Sequence, residues 1–151
     1  VRSRRQRQMC IRDRYLMVRI AIVAHEPMAS ALMDVALHVF PETTDIYPFD
    51  IQANCCPDAV SELIFDALYD MDVRKVLILT DLCGATPANI AVRIASKLNE
   101  HAVPTELLGG VNAGMVLSAI AYRAHALPEL TQKVIEGGIK SIRSLVEARA
   151  D

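Results

Sequence analysis

The sequence is notable first for the signatures it lacks. It has no Walker Gly-x-x-x-x-Gly-Lys run and no Gly-x-Gly-x-x-Gly fingerprint, so neither common nucleotide cradle is predicted. It has no Gly-x-Ser-x-Gly elbow, which removes the usual serine-hydrolase arrangement. No apolar run approaches the roughly 18 residues of a membrane span. The four cysteines, Cys10, Cys55, Cys56 and Cys83, form no Cys-x-x-Cys and no paired Cys/His spacing, so a zinc site is not expected. Cys55 and Cys56 are adjacent, which disfavours a disulfide between them, and a reducing cytoplasm is the expected compartment. Neither an internal repeat nor a low-complexity tract is present.

What is present is a mostly apolar chain of 151 residues, 52% hydrophobic, with enough length for one domain with a substantial core. Residues 1–16 stand apart. They hold six arginines and one acid, Asp13, without the apolar centre of a secretion signal. A basic arm for nucleic acid is one reading, but no aromatic or glycine interleaving accompanies the arginines. The segment is expected to be a non-native or disordered extension, with the natural chain opening at Met17 and a single domain over 17–151. Removing its six Arg and one Asp from 16 basic and 18 acidic residues leaves 10 and 17, a net charge of −7. So acidic a body suits a basic protein partner and not a nucleic acid.

Hydrophobic spacing predicts alternating strands and helices. Val18–Ala24 reads as a strand covered on both faces, followed by His25 and a helix over Met28–Phe40 with Leu32, Val35, Ala36 and Val39 inward. Asp45–Asp50 is a weaker strand, and Pro48 assigns it to an edge. A second helix runs from Pro57 to about Tyr69, with Val60, Leu63, Ile64, Ala67 and Leu68 inward. Lys75–Thr80 is the third strand and Pro87 to about Glu100 the third helix. Thr105–Leu108 is the fourth strand, before Gly109-Gly110. Asn112 is the expected cap of a fourth helix, and Pro128 opens a fifth, with Leu130, Val134, Ile135, Ile139, Ile142 and Leu145 apolar along it and its middle weakened by Gly137-Gly138. The predicted fold class is α/β: a doubly wound, mainly parallel sheet of strand order 2-1-3-4 with helices on both faces.

That order has a chemical consequence. His25 ends strand one and Asp81 ends strand three, and the order makes the two neighbours at the switch point. A lone Asp in a loop is more often a turn former, and a lone His more often a cap. Together they form a unit in which the carboxylate fixes one ring nitrogen and frees the other. The free nitrogen can serve as a base, a metal ligand or a nucleophile. A metal is disfavoured because no second His or Cys lies at ligand spacing. A base needs a partner, and Thr86 and Cys83 are the candidates; Cys83 reads better as a small filler. A histidine that accepts phosphate fits best, with helix starts at Pro27 and Pro87 and the hydroxyls of Ser30 and Thr86 as donors. Thr86 is also the expected cap of the third helix. Without a nucleotide motif, the phosphate donor is expected to be another phosphoprotein. His38, His101 and His125 have no comparable neighbour, and Met28 and Met115 are candidates for an apolar rim for a partner.

Three segments carry a family resemblance: Ile20-Ala-Ile-Val-Ala-His25; Asp81-Leu-Cys-Gly84-Ala-Thr86-Pro87-Ala-Asn89; and Gly110-Val-Asn112-Ala-Gly-Met115. Over Met17 to about Glu147 the chain resembles the enzyme IIA domain of the mannose/fructose/sorbose class of the bacterial sugar phosphotransferase system. The resemblance implies that His25 is phosphorylated by phospho-HPr and passes the group to enzyme IIB, with Asp81 hydrogen-bonded to it. Thr86, Gly84, Ser30 and Asn112 are the expected phosphate-binding or supporting residues. It further implies a homodimer, no cofactor, and an indirect link to a membrane IIC/IID permease. Two residues depart from the pattern: Glu26 stands where the family has Gly, and Ala85 replaces a loop Gly. No IIB segment follows, so IIB is expected as a separate chain. Two alternatives are a phosphotransfer subunit of a dihydroxyacetone kinase and a regulatory binding module that takes no phosphate.

Overall fold

The computed structural model describes residues 16–146. Four strands, β1 (Arg19–His25), β2 (Ile46–Ile51), β3 (Val76–Thr80) and β4 (Thr105–Leu108), alternate with helices α1 (Met28–Val39), α2 (Pro57–Asp70), α3 (Thr86–Glu100), α4 (Ala113–Tyr122) and α5 (Leu127–Lys140). All strand pairs are parallel and the order is β2-β1-β3-β4, as predicted. β1 and β3 are central and their interior residues are fully buried, which is why both read as continuous apolar runs. Pro48 lies in β2, which pairs with β1 alone, so its missing N–H removes no second ladder.

The two-residue period of the strands divides the core. Ile20, Ile22, Ala24, Leu77 and Leu79 meet Ala29 and Ala36 of α1, Met115, Val116 and Ala119 of α4, and Leu127, Leu130 and Val134 of α5. Ala21, Val23, Val76 and Ile78 meet Ile64, Phe65 and Leu68 of α2, and Ile90, Ile94 and Leu98 of α3. Across the outer seam of α2 and α3, Asp58 pairs with Arg93 and Glu62 with Lys97.

Several side chains face differently from the sequence expectation. In α1 the inward stripe is Ala29, Leu32, Met33 and Ala36, while Val35 and Val39 are exposed. In α2 Leu63 is exposed and Phe65 is buried; two positions apart, they lie on nearly opposite sides of the helix. Ile142 and Leu145 lie beyond the end of α5, exposed. The basic segment lies outside the described residues, except for exposed Leu16. No described helix is long and apolar enough to cross a membrane.

Gly137 and Gly138 are packing residues. A Cβ on Gly138 would lie 2.5 Å from Met115 Cγ, and one on Gly137 2.8 Å from Ser118 Cβ, so α5 approaches α4 because both lack side chains there. Gly114 answers them from α4: its Cβ would lie 2.9 Å from the Gly137 carbonyl oxygen and 2.7 Å from Ser141 Cβ. Gly114→Ala is therefore expected to force the helices apart and to remove about 1–3 kcal/mol of stability. Urea denaturation will read this as a lower midpoint at an unchanged slope.

Candidate functional site

His25 is the last residue of β1 and Asp81 the first beyond β3. Val23 and Thr80 are register partners, which brings the two strand ends together at the carboxyl edge of the sheet. One carboxylate oxygen of Asp81 accepts from the His25 backbone N–H at 2.9 Å and from ring Nδ1 at 2.7 Å. The other accepts from the Leu82 N–H at 2.7 Å. Burial by itself would raise the Asp81 carboxyl. The bonds from the His25 amide and ring and the Leu82 amide, together with the attraction of the ring, outweigh it and hold the carboxyl below its ordinary value. An ionised carboxylate only accepts, so the shared proton belongs to Nδ1. Nε2 then carries the lone pair, and it has no hydrogen-bond partner among the described residues. The carboxylate is 5% exposed and the imidazole 44%, so the pair has a buried anchor and an accessible working end.

The loop after Asp81 is shaped locally and braced from the side. Gly84 adopts φ +83°, a left-handed conformation that favours glycine, and Ala85 N–H closes the turn onto Leu82 O at 3.1 Å. The β4–α4 loop holds the other flank: Gly110 N–H donates to Asp81 O at 2.8 Å and Val111 N–H to Thr80 O at 3.0 Å. Cys83 is a free, exposed thiol whose sulfur lies over Gly109, where a Cβ would meet it.

Ala85, not Thr86, is the N-cap of α3, and no side-chain bond caps this helix. Thr86 is its exposed first residue, and its hydroxyl and N–H have no partner among the described residues. The hydroxyl remains available because the extended conformation of Ala85 starts the helix one residue early. Asn112 caps α4 as predicted, accepting from Met115 N–H at 3.0 Å. Its amide also donates to Gly138 O at 3.3 Å, so the side chain ties α4 to α5.

Ser30 is placed differently from the expectation. Its hydroxyl donates to Asp50, and its N–H reaches the same carboxylate at 3.2 Å. Pro27 is the N-cap of α1 and provides no side-chain cap. The mouth of α1 thus already holds an anion of the chain itself, whereas the mouth of α3 does not. Asp50 was invisible as a site residue because its partner lies 20 positions away and only strand register brings them together. His101 packs against Phe65 and Tyr69 and His125 against Tyr122. Among the described residues, no group of three or more His, Cys, Asp or Glu could hold a metal ion.

A doubly wound domain with an oriented histidine at its switch point defines the general class. The family model described as PTS system fructose IIA component matches residues 19–135, and the chain belongs to that family, whose role is that of a phosphotransferase component. The fold is shared with solved IIA structures. A phosphotransferase system component EIIA from Streptococcus agalactiae aligns at TM-score 0.78 and 22% identity, over 87% of this chain and 99% of that one. A mannose/sorbose specific IIA subunit from Enterococcus faecalis aligns at 0.75 and 18%, over 85% and 95%. A PTS IIA protein associated with the fucose utilization operon from Streptococcus pneumoniae aligns at 0.71 and 18%, over 87% and 96%. No curated protein matches the chain.

Proposed function

We propose that this protein is a cytoplasmic phosphocarrier that accepts a phosphoryl group from phospho-HPr on His25 Nε2. It then passes the group to an enzyme IIB component or to a regulatory target. The observation that carries the reading is the His25 Nδ1–Asp81 bond, from a half-exposed ring to a buried carboxylate. Family membership supports it. The Nε2 lone pair forms the new bond to phosphorus. The donor's bond to phosphorus breaks, and its electron pair leaves with the donor. The ring becomes positive with both nitrogens substituted, Nδ1 by hydrogen and Nε2 by phosphorus, and the Asp81 charge offsets that positive charge within hydrogen-bond distance. The free N–H and hydroxyl of Thr86, at the positive end of α3, are the donors for the phosphoryl oxygens. Gly84 and Asn112 support the loops that hold these groups in place.

Glu26 follows the acceptor with an exposed side chain, and its N–H is bonded to Ile51 O at 3.1 Å. Its charge opposes the incoming phosphoryl group and favours release to the next acceptor. The acidic body agrees with docking a basic surface of HPr. A homodimer and an indirect link to a IIC/IID permease belong to the same reading, through the family resemblance.

The test is incubation with phosphoenolpyruvate, enzyme I and HPr. The expected result is a mass gain of one phosphate, labile in acid and stable in base, that depends on HPr. Absence of that gain, with the same enzyme I and HPr active on another IIA protein, would overturn the proposal.

A further inference from the structure

α1 begins without the aids that usually start a helix. Pro27 at its N-cap makes no side-chain bond, and no acidic residue stands in the first turn. The missing acceptor comes from a different strand. Asp50, next to last in β2, takes the Ser30 N–H with one carboxylate oxygen at 3.2 Å and the Ser30 hydroxyl with the other. Ser30 is the third residue of α1, where a capping carboxylate is normally received. Asp50 stands opposite Ala24 in the register, and the next pair is Ile51 with His25 itself. The segment from His25 to Ser30 is therefore fixed at three points: His25 N–H to Asp81, Glu26 N–H to Ile51 O, and Ser30 to Asp50.

We propose that Asp50 is a positioning residue for the acceptor histidine, acting as a built-in hydrogen-bond acceptor at the mouth of α1. It secures the turn that carries His25 and leaves the mouth of α3 as the anion-binding side of the cleft. The inference rests on the phosphocarrier reading for its kinetic consequence but not for its structural one. Without the carboxylate, the first turn of α1 loses its only side-chain acceptor among the described residues, and the turn beginning at His25 loosens. Small misplacements of a reacting nitrogen carry large rate penalties, roughly a hundredfold per ångström.

The experiment compares the full-length protein with its Asp50→Ala and Asp50→Asn variants. Asn keeps an acceptor for the Ser30 N–H and removes the charge. The single-turnover phosphorylation rate by phospho-HPr is measured across HPr concentrations, and hydrogen exchange at His25 Nδ1 is followed by NMR. For Asp50→Ala the expected result is a fall of about tenfold or more in the saturating rate, with an unchanged half-saturating HPr concentration and faster Nδ1 exchange. Asp50→Asn should recover most of the rate. An unchanged saturating rate, a change in half-saturation alone, or an Asn variant as slow as the Ala variant would overturn the proposal. If the wild-type protein takes up no phosphate, the phosphocarrier reading fails. Nδ1 exchange then decides separately: equal exchange in wild type and Asp50→Ala overturns the positioning role.

Discussion

Replacing His25 by alanine will abolish uptake of phosphate from phosphoenolpyruvate, enzyme I and HPr while leaving the fold intact. The imidazole is 44% exposed, so its removal opens no interior cavity. The backbone N–H of residue 25 still reaches Asp81, and the β1 ladder to β2 and β3 does not depend on the side chain. A loss of stability no larger than about 1 kcal/mol is expected, the range of partly exposed substitutions, and urea denaturation will check it. The loss of labelling should be complete, because only the ring supplies a nitrogen lone pair at this position. His38 and His101 have no carboxylate partner among the described residues, and His125 faces only the exposed Glu129 at 3.8 Å, beyond hydrogen-bond reach, so none can substitute. Full labelling of a folded His25→Ala variant would place the phosphate elsewhere and remove the proposed mechanism.

Asp81→Asn is the second large effect, and it separates orientation from charge. Asp81 accepts three hydrogen bonds with two oxygens. An asparagine has one oxygen, so its amide nitrogen must face either the Leu82 N–H or the two His25 donors. In the less costly orientation the oxygen stays with His25, yet the negative charge that offsets the phosphorylated ring is gone. By analogy with carboxylates that orient a reactive histidine, the transfer rate should fall by about 10²–10⁴-fold. Rapid-quench labelling will measure it, and an unchanged rate would remove the assigned role.

The same variant tests the linkage between Asp81 and stability. Its carboxyl is held below the ordinary value of 3.8 in the folded protein, so the folded state favours the ionised form. That contribution is fully present above the unfolded value and is lost as pH falls through the lower folded value. The stability contributed by the ionised Asp81 should thus be lost in strong acid, where wild type and Asp81→Asn converge. Urea midpoints across pH will show it. A difference that persists unchanged in strong acid would contradict the assigned bonds.

Much of this architecture is legible in the sequence because strands buried on both faces must be apolar throughout. The runs ending at Ala24 and Thr80 declare themselves in this way, and Pro48 names an edge strand by its lost donor. Asn112 was likewise legible, since a cap acts on its own helix a few residues on. Helix faces were less so. In α2 the expected Ile64 and Leu68 do face inward, but Phe65 joins them and Leu63, on the opposite side, is left exposed. Gly137 and Gly138 read as weak points in a helix until α4 is laid against them.

The sequence by itself determined the strand–helix alternation, the edge position of β2, and the pairing of His25 with Asp81, because each follows from local pattern and a strand order with few alternatives. Only the tertiary structure decided which helix mouth is free. Asp50 is an ordinary strand residue until register places it under Ser30, and Thr86 is an ordinary cap until Ala85 takes that position. Long-range hydrogen bonds have no local signature, so the difference in bonding between the mouths of α1 and α3 could be read only from the folded chain.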